Sequence, residues 1–145
     1  MLEKPDLNDE KIKTCLQTAY GIQVAQITFL PIGADPNTAV YRASESNGVS
    51  YFVKLRSGDF NAAAVTVPRY LGDLGIQQVI PSLPTQTGEL WAELPPFKVI
   101  LYPFIDGKDG FTVDLSDQHW VAFGAALKRF HTTSTTRTTT NTPTI

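Results

Sequence analysis

The spacing of apolar residues along this chain alternates between a helical and a strand period, and each change marks a new element. Ile12, Cys15, Leu16 and Ala19 recur three and four residues apart, as on one face of a helix. Asn8 and Asp9 are placed to cap its start, and Gly21 to stop it after Tyr20. Cys15 lies within that apolar face and is expected in the core. From Val24 to Leu55 the residues become β-branched and aromatic, which predicts strands over 24–30 and 38–43 around the segment PIGADPN, Pro31 to Asn37. Asn47-Gly48 is a two-residue hairpin signal leading into a third strand over 49–55. Three strands in this order make an antiparallel meander.

The helical period returns in SGDFNAAAVTVPRYLGDLG, Ser57 to Gly75, with Val67, Leu71 and Leu74 as apolar positions and Asp59 as a cap. Pro68 is expected to kink or restart that helix, because proline has no N–H for the helical ladder. Short strands are predicted over 78–83 and 88–92 around Thr85 to Gly88. The run FKVILYPFI, Phe97 to Ile105, suits a strand buried on both faces. Asp106-Gly107 and Asp109-Gly110 mark a loop, after which Ser116 is positioned to cap an amphipathic helix containing Trp120, Phe123, Leu127 and Phe130. The pattern gives an α+β fold: an antiparallel sheet of five to six strands, an N-terminal helix and a flanking helix. The last fourteen residues hold nine threonines and are read as a disordered or aberrant tail over 132–145.

Composition narrows the functional classes. The 145 residues are 42% apolar and 18% charged, ordinary values for one folded unit with a core. A net charge of -2 supplies no field that would gather nucleic acid or an anionic membrane, so neither partner is expected. Cys15, the single cysteine, has no intramolecular disulfide partner. The N-terminus lacks the apolar segment of a signal peptide and no run is long enough to span a bilayer, so a cytoplasmic location is expected. His119 and His131 are twelve apart with no cysteine or carboxylate cluster at ligand spacing, and they are read as structural. Trp91 and Trp120 are read as packing residues.

One residue does not fit a plain core strand. Lys54 lies in YFVKLR, Tyr51 to Arg56, and an ammonium in an apolar strand must reach solvent, find a carboxylate or receive an anionic ligand. Phe52 is two positions away and shares its face of the strand. Read from the residues alone, Lys54 snorkelling from an edge strand beside a core Phe52 stays open. So does a plain hairpin turn at Gly33 to Asn37.

Several motifs in order carry a more specific reading. GADPNTAVYRA, YFVKLR, VPRYLGDLGI, FKVILYPFIDG and FGAALKRFH together resemble the beginning of an aminoglycoside phosphotransferase of the spectinomycin phosphotransferase type, over residues 1 to 131. That family has a protein-kinase-like fold, with a mostly β N-terminal lobe, a hinge and a larger helical lobe. The resemblance implies a nucleotide-binding lobe with its hinge over 1–105, and a linker with the first helix of the second lobe over 106–131. It implies ATP as the nucleotide, with Mg in the full-length family, and a small-molecule hydroxyl as acceptor. Gly33 to Asn37 would then cover the ATP phosphates, Lys54 would reach the α- and β-phosphates, and Phe52 would pack on adenine. Tyr102 would stand as gatekeeper, Pro103 would offer its carbonyl to the adenine amino group, and Ile105 its N–H to adenine N1.

Two departures from the family pattern qualify this. The helix glutamate that orients the lysine in kinase-like folds is replaced by Ala62, with Asp59 as the nearest substitute. The His-x-Asp loop and the Ile-Asp-Trp-Asp-like segment that supply the catalytic aspartate and the Mg ligands do not occur in the 145 residues. The chain is therefore expected to stop before the catalytic loop and to be inactive alone. The alternatives are a non-enzymatic nucleotide-binding or interaction module, and a frameshifted gene product without independent function.

Overall fold

The computed structural model describes residues 1–107 and 114–133. The predicted Asp109-Gly110 loop and residues 134–145 of the threonine tail expected over 132–145 lie outside the described residues, whereas Thr132 of that tail is the last residue of a helix. The chain forms two compact units. The first comprises Met1–Asn61 and Pro81–Phe104, and the second Ala62–Ile80 and the chain from Ile105.

The first unit begins with helix α1, Asp9–Cys15, continued by a π-helical turn, Leu16–Tyr20. Asn8 caps it as the sequence predicts, its side-chain oxygen accepting from the Glu10 N–H at 2.9 Å. Gly21 ends it in the left-handed region, at φ 71°. A Cβ on Gly21 would lie 2.4 Å from Gln86 Nε2, and the Gln86 N–H donates to the Ala19 carbonyl at 2.9 Å. Gly21→Ala is therefore expected to cost about 1–2 kcal/mol, the penalty for a side chain in this conformation, read from the urea midpoint. Wild-type stability in that variant would show that the helix end relaxes freely.

The strands are β1, Gln26–Leu30; β2, Thr38–Ser44; β3, Ser50–Arg56; β4, Ala92–Leu94; and β5, Phe97–Pro103. They form one antiparallel sheet in the order β1-β2-β3-β5-β4, at the five-stranded end of the expected range. The β2–β3 connection is longer than the two-residue turn predicted. The Gly48 N–H donates to the Glu45 carbonyl at 3.0 Å and the Glu45 N–H to the Val49 carbonyl at 2.9 Å, leaving a three-residue loop that ends on Gly48 at φ 89°. This is the type I turn with a glycine bulge, in which the glycine takes the third place of the loop.

The second pair of predicted strands also shifts. Residues 78–83 contribute only an isolated bridge, Leu83 with Leu101, and the strand expected over 88–92 forms instead at Ala92–Leu94. Pro81 and Pro84 remove the N–H groups that a ladder in 78–84 would need. By contrast, Val99, Ile100 and Leu101 are all buried, as the unbroken apolar run in β5 predicts.

Strand alternation sends Ala39, Tyr41 and Ala43 of β2, Val53 and Leu55 of β3, and Val99 and Leu101 of β5 to one face. There they close a core with Ile12, Leu16 and Ile22 from the N-terminal segment. Cys15 is half-buried against this core, and burial raises its thiol pKa. Trp91 packs edge-on to Phe60, with centroids 5.1 Å apart.

The second unit contains α2, Ala63–Asp73, and α3, Asp117–Thr132. Asp59 does not cap α2: the cap position is Ala62, with no side-chain hydrogen bond, while the Asp59 carbonyl accepts from the Arg56 guanidinium. The helix runs through Pro68 without restarting, so one ladder bond is lost and the turns on either side hold the segment. Ser116 caps α3 as predicted, and His119 completes a capping box, its Nδ1 accepting from the Ser116 N–H at 3.0 Å. Trp120 and Phe123 of α3 are each 58% exposed. Among the described residues, no helix is long and apolar enough to cross a membrane.

Candidate nucleotide site

The face of the sheet opposite the core carries the other strand positions. Register places Val40 beside Lys54 and Lys54 beside Ile100, and in the next row Arg42 beside Phe52 and Phe52 beside Tyr102. Val40 and Ile100 are buried, so Lys54 rises between two apolar neighbours. Among the described residues, no carboxylate forms an ion pair with it. Its Nζ instead lies 5.3 Å from the centre of the Tyr102 ring. Tyr102 in turn meets Phe52 edge-on, with centroids 6.4 Å apart.

A concavity of about 270 Å³ opens above this face, lined by Phe52, Lys54, Val40 and Thr38 from the strands and by Ile32, Gly33, Ala34 and Asp35 from the β1–β2 loop. Asp35 is turned into the loop. One carboxylate oxygen accepts from the Asn37 N–H at 2.9 Å, and the other from the Thr38 hydroxyl at 2.9 Å and from the Arg56 guanidinium. The Asn37 N–H, the Thr38 hydroxyl and Arg56 hold its carboxyl below the usual pKa. Among the described residues, no group accepts from the N–H of Gly33, Ala34 or Asp35. Residues whose N–H groups have no acceptor among the described residues thus line the same concavity as Lys54, a composition that suits an anion.

The candidate residues of the sequence divide between this concavity and its surroundings. Gly33, Phe52 and Lys54 line it, and Tyr102 adjoins it through Phe52 and Lys54. Asn37 stands at the foot of the loop, outside the lining, with its carbonyl accepting from the Ser57 N–H at 2.8 Å. Pro103 ends β5 opposite Tyr51. Ile105 belongs to the second unit and its side chain is exposed.

Sequence reasoning missed Val40, Thr38 and the Arg56–Asp35 pair. Alternation within β2 was the available signal for the first two, since a strand that pairs with β3 must present residues 38, 40 and 42 beside Lys54 and Phe52. Arg42 was missed as well: its guanidinium stacks 4.2 Å from the Phe104 ring centre.

A larger concavity, about 700 Å³, lies between α1 and the segment entering β4, and its lining includes Glu10, Glu89 and Glu93 with Trp91 and several threonines. Three carboxylates oppose a phosphate there, so size does not decide between the two. No group of three His, Cys, Asp or Glu residues among the described residues is placed to hold a metal ion. Asp35 is the one acid in the concavity's lining and its carboxylate is already engaged by Arg56, so these residues do not fit a Mg²⁺ site.

No protein-family model and no curated protein matches the chain. Two solved structures of spectinomycin phosphotransferase, APH(9)-Ia, do. The complex with ADP and spectinomycin is 32% identical, with a TM-score of 0.84 over 91% of this chain and 40% of that one. The AMP-bound complex is 31% identical, with a TM-score of 0.76 over 88% of this chain and 38% of that one. This chain thus spans 40% of the length of the first protein it matches. The five-stranded sheet with its N-terminal helix matches the kinase-like N-lobe of that protein, and this chain is homologous to the N-terminal lobe of an aminoglycoside phosphotransferase.

Proposed function

We propose that this chain is the nucleotide-binding lobe of a small-molecule phosphotransferase, with ATP as the nucleotide and a hydroxyl of an aminoglycoside-like compound as the acceptor. The observation that carries this reading is the concavity shared by Lys54, which has no ion-pair partner among the described residues, and by Gly33, Ala34 and Asp35, whose N–H groups have no acceptor among them. Lys54 is a compact point charge for the α- and β-phosphates, and the loop amides are donors for the oxygens beyond it. Phe52 offers a ring face for adenine, and the Pro103 carbonyl is assigned to the edge of the base. Both matched structures contain adenine nucleotides, and one contains spectinomycin, which supports the nucleotide and acceptor classes.

The 145 residues hold no His-x-Asp loop to position an attacking hydroxyl. What these residues would supply to such a reaction is nucleotide binding. Calorimetric titration with ADP and with adenosine tests the reading. ADP is expected to bind more tightly than adenosine. Lys54→Ala is expected to weaken ADP binding about tenfold or more, as loss of a charged hydrogen bond implies, and to leave adenosine unchanged. Equal affinity of ADP for wild type and Lys54→Ala would overturn it, as would wild type that binds no ADP.

A further inference from the structure

We propose that the face of the Tyr102 ring, rather than a carboxylate, is the group that positions Lys54 for an anionic ligand. This rests on the nucleotide reading of the concavity and adds to it the means by which the lysine is held before the ligand arrives.

Three observations support the assignment. The Lys54 Nζ lies 5.3 Å from the Tyr102 ring centre, within the reach of a cation–π contact, and no acid among the described residues pairs with it. The side chains stand in adjacent rows of neighbouring strands, Lys54 opposite Ile100 and Tyr102 opposite Phe52, so backbone register fixes their approach. Tyr102 also meets Phe52 edge-on at 6.4 Å, and that contact limits rotation of its ring. Burial raises the Tyr102 phenol pKa, which keeps the ring neutral across the physiological range.

The chemistry differs from that of an ion pair. A carboxylate orients an ammonium by cancelling its charge and occupying its N–H donors. A neutral ring attracts the ammonium through its quadrupole and leaves the charge uncancelled, with N–H groups free to turn to a phosphate in the same concavity. Tyr102 is on this account a positioning residue, and its hydroxyl is dispensable.

Proton NMR of the nucleotide-free protein tests the contact directly. The ε-methylene protons of Lys54 are expected upfield of the other lysines through the ring current of Tyr102. That shift is expected to persist in Tyr102→Phe and to vanish in Tyr102→Leu. For ADP, Tyr102→Leu is expected to bind about two- to fivefold more weakly than Tyr102→Phe, the range of an exposed cation–π contact. Tyr102→Phe is expected to match wild type. An unshifted Lys54 in wild type overturns the proposal without any variant, and so does Tyr102→Phe that loses affinity as Tyr102→Leu does. Should wild type bind no ADP, the nucleotide reading fails while the ring-current comparison still decides the contact.

Discussion

Leu55→Lys is expected to abolish cooperative folding of the sheet-bearing unit. Leu55 is fully buried, paired in register with Ala39 on one side and Val99 on the other, in the cluster that includes Ile12 and Leu16. Loss of its transfer energy alone costs about 2–3 kcal/mol. An ammonium left without a partner in that cluster costs several kcal/mol more, which brings the sum to the whole stability of a typical domain, about 5–15 kcal/mol. The residue one position earlier is already lysine, and it is tolerated because the strand turns it to the other face. Circular dichroism melting curves read the result. A cooperative transition within about 1 kcal/mol of wild type would mean that the buried position has a route to solvent.

Tyr41 is expected to give the second largest effect and a sharp contrast between two replacements. Its side chain is fully buried and its ring meets Phe29 at 5.4 Å in an edge arrangement. Tyr41→Ala removes that ring from the centre of the sheet and is expected to cost about 3–5 kcal/mol. The hydroxyl is buried without a hydrogen-bond partner among the described residues, so Tyr41→Phe is expected to be neutral or slightly stabilising. Burial, reinforced by the Asp9 carboxylate, pushes the Tyr41 phenol up to about 12 from the ordinary 10.0. The folded state therefore holds its proton more tightly than the unfolded one. The resulting stability is complete below pH 10 and is lost as pH rises from 10 to 12. Urea unfolding of the three proteins at neutral pH, repeated for wild type and Tyr41→Phe through that window, measures both effects. A clear loss in Tyr41→Phe at neutral pH would show that the hydroxyl has a partner after all.

Local chemistry made much of the fold readable from sequence. Asn8 and Gly21 bracket the first helix because a side-chain acceptor and a left-handed residue are needed there whatever the rest of the chain does. The same holds for Ser116, and for the period of two that separates Phe52 and Lys54 from Val53 and Leu55. Features set by distant partners were not readable. Asp59 has the chemistry of a cap, yet its carbonyl is drawn to Arg56 and the helix begins later, at Ala63. Residues 78–83 include strand-forming Val79, Ile80 and Leu83, but Pro81 within the segment and Pro84 after it leave only the Leu83 bridge.

The candidate site divides along the same line. Lys54 is visible in sequence as a charge in an apolar strand, and Asp35 as an acid in a loop assigned to phosphate. That Asp35 is matched by Arg56 follows only from the β2–β3 register, which sets Thr38 opposite Arg56. The aromatic contact of Lys54 depends likewise on β5 lying next to β3, a neighbour that sequence order does not disclose.

The alternation within β3 also bears on how such a chain tolerates changes in length. Its odd positions, Tyr51, Val53 and Leu55, belong to the core or pack against it, and its even positions, Phe52 and Lys54, face the concavity. A residue gained or lost inside the strand would exchange the two sets beyond that point, placing the lysine in the core and a leucine in the concavity. The turn at 45–49 is different, because an added residue there lengthens the loop without disturbing either set. Insertions and deletions are thus filtered by location, admitted in the turn and excluded from the seven residues that follow it.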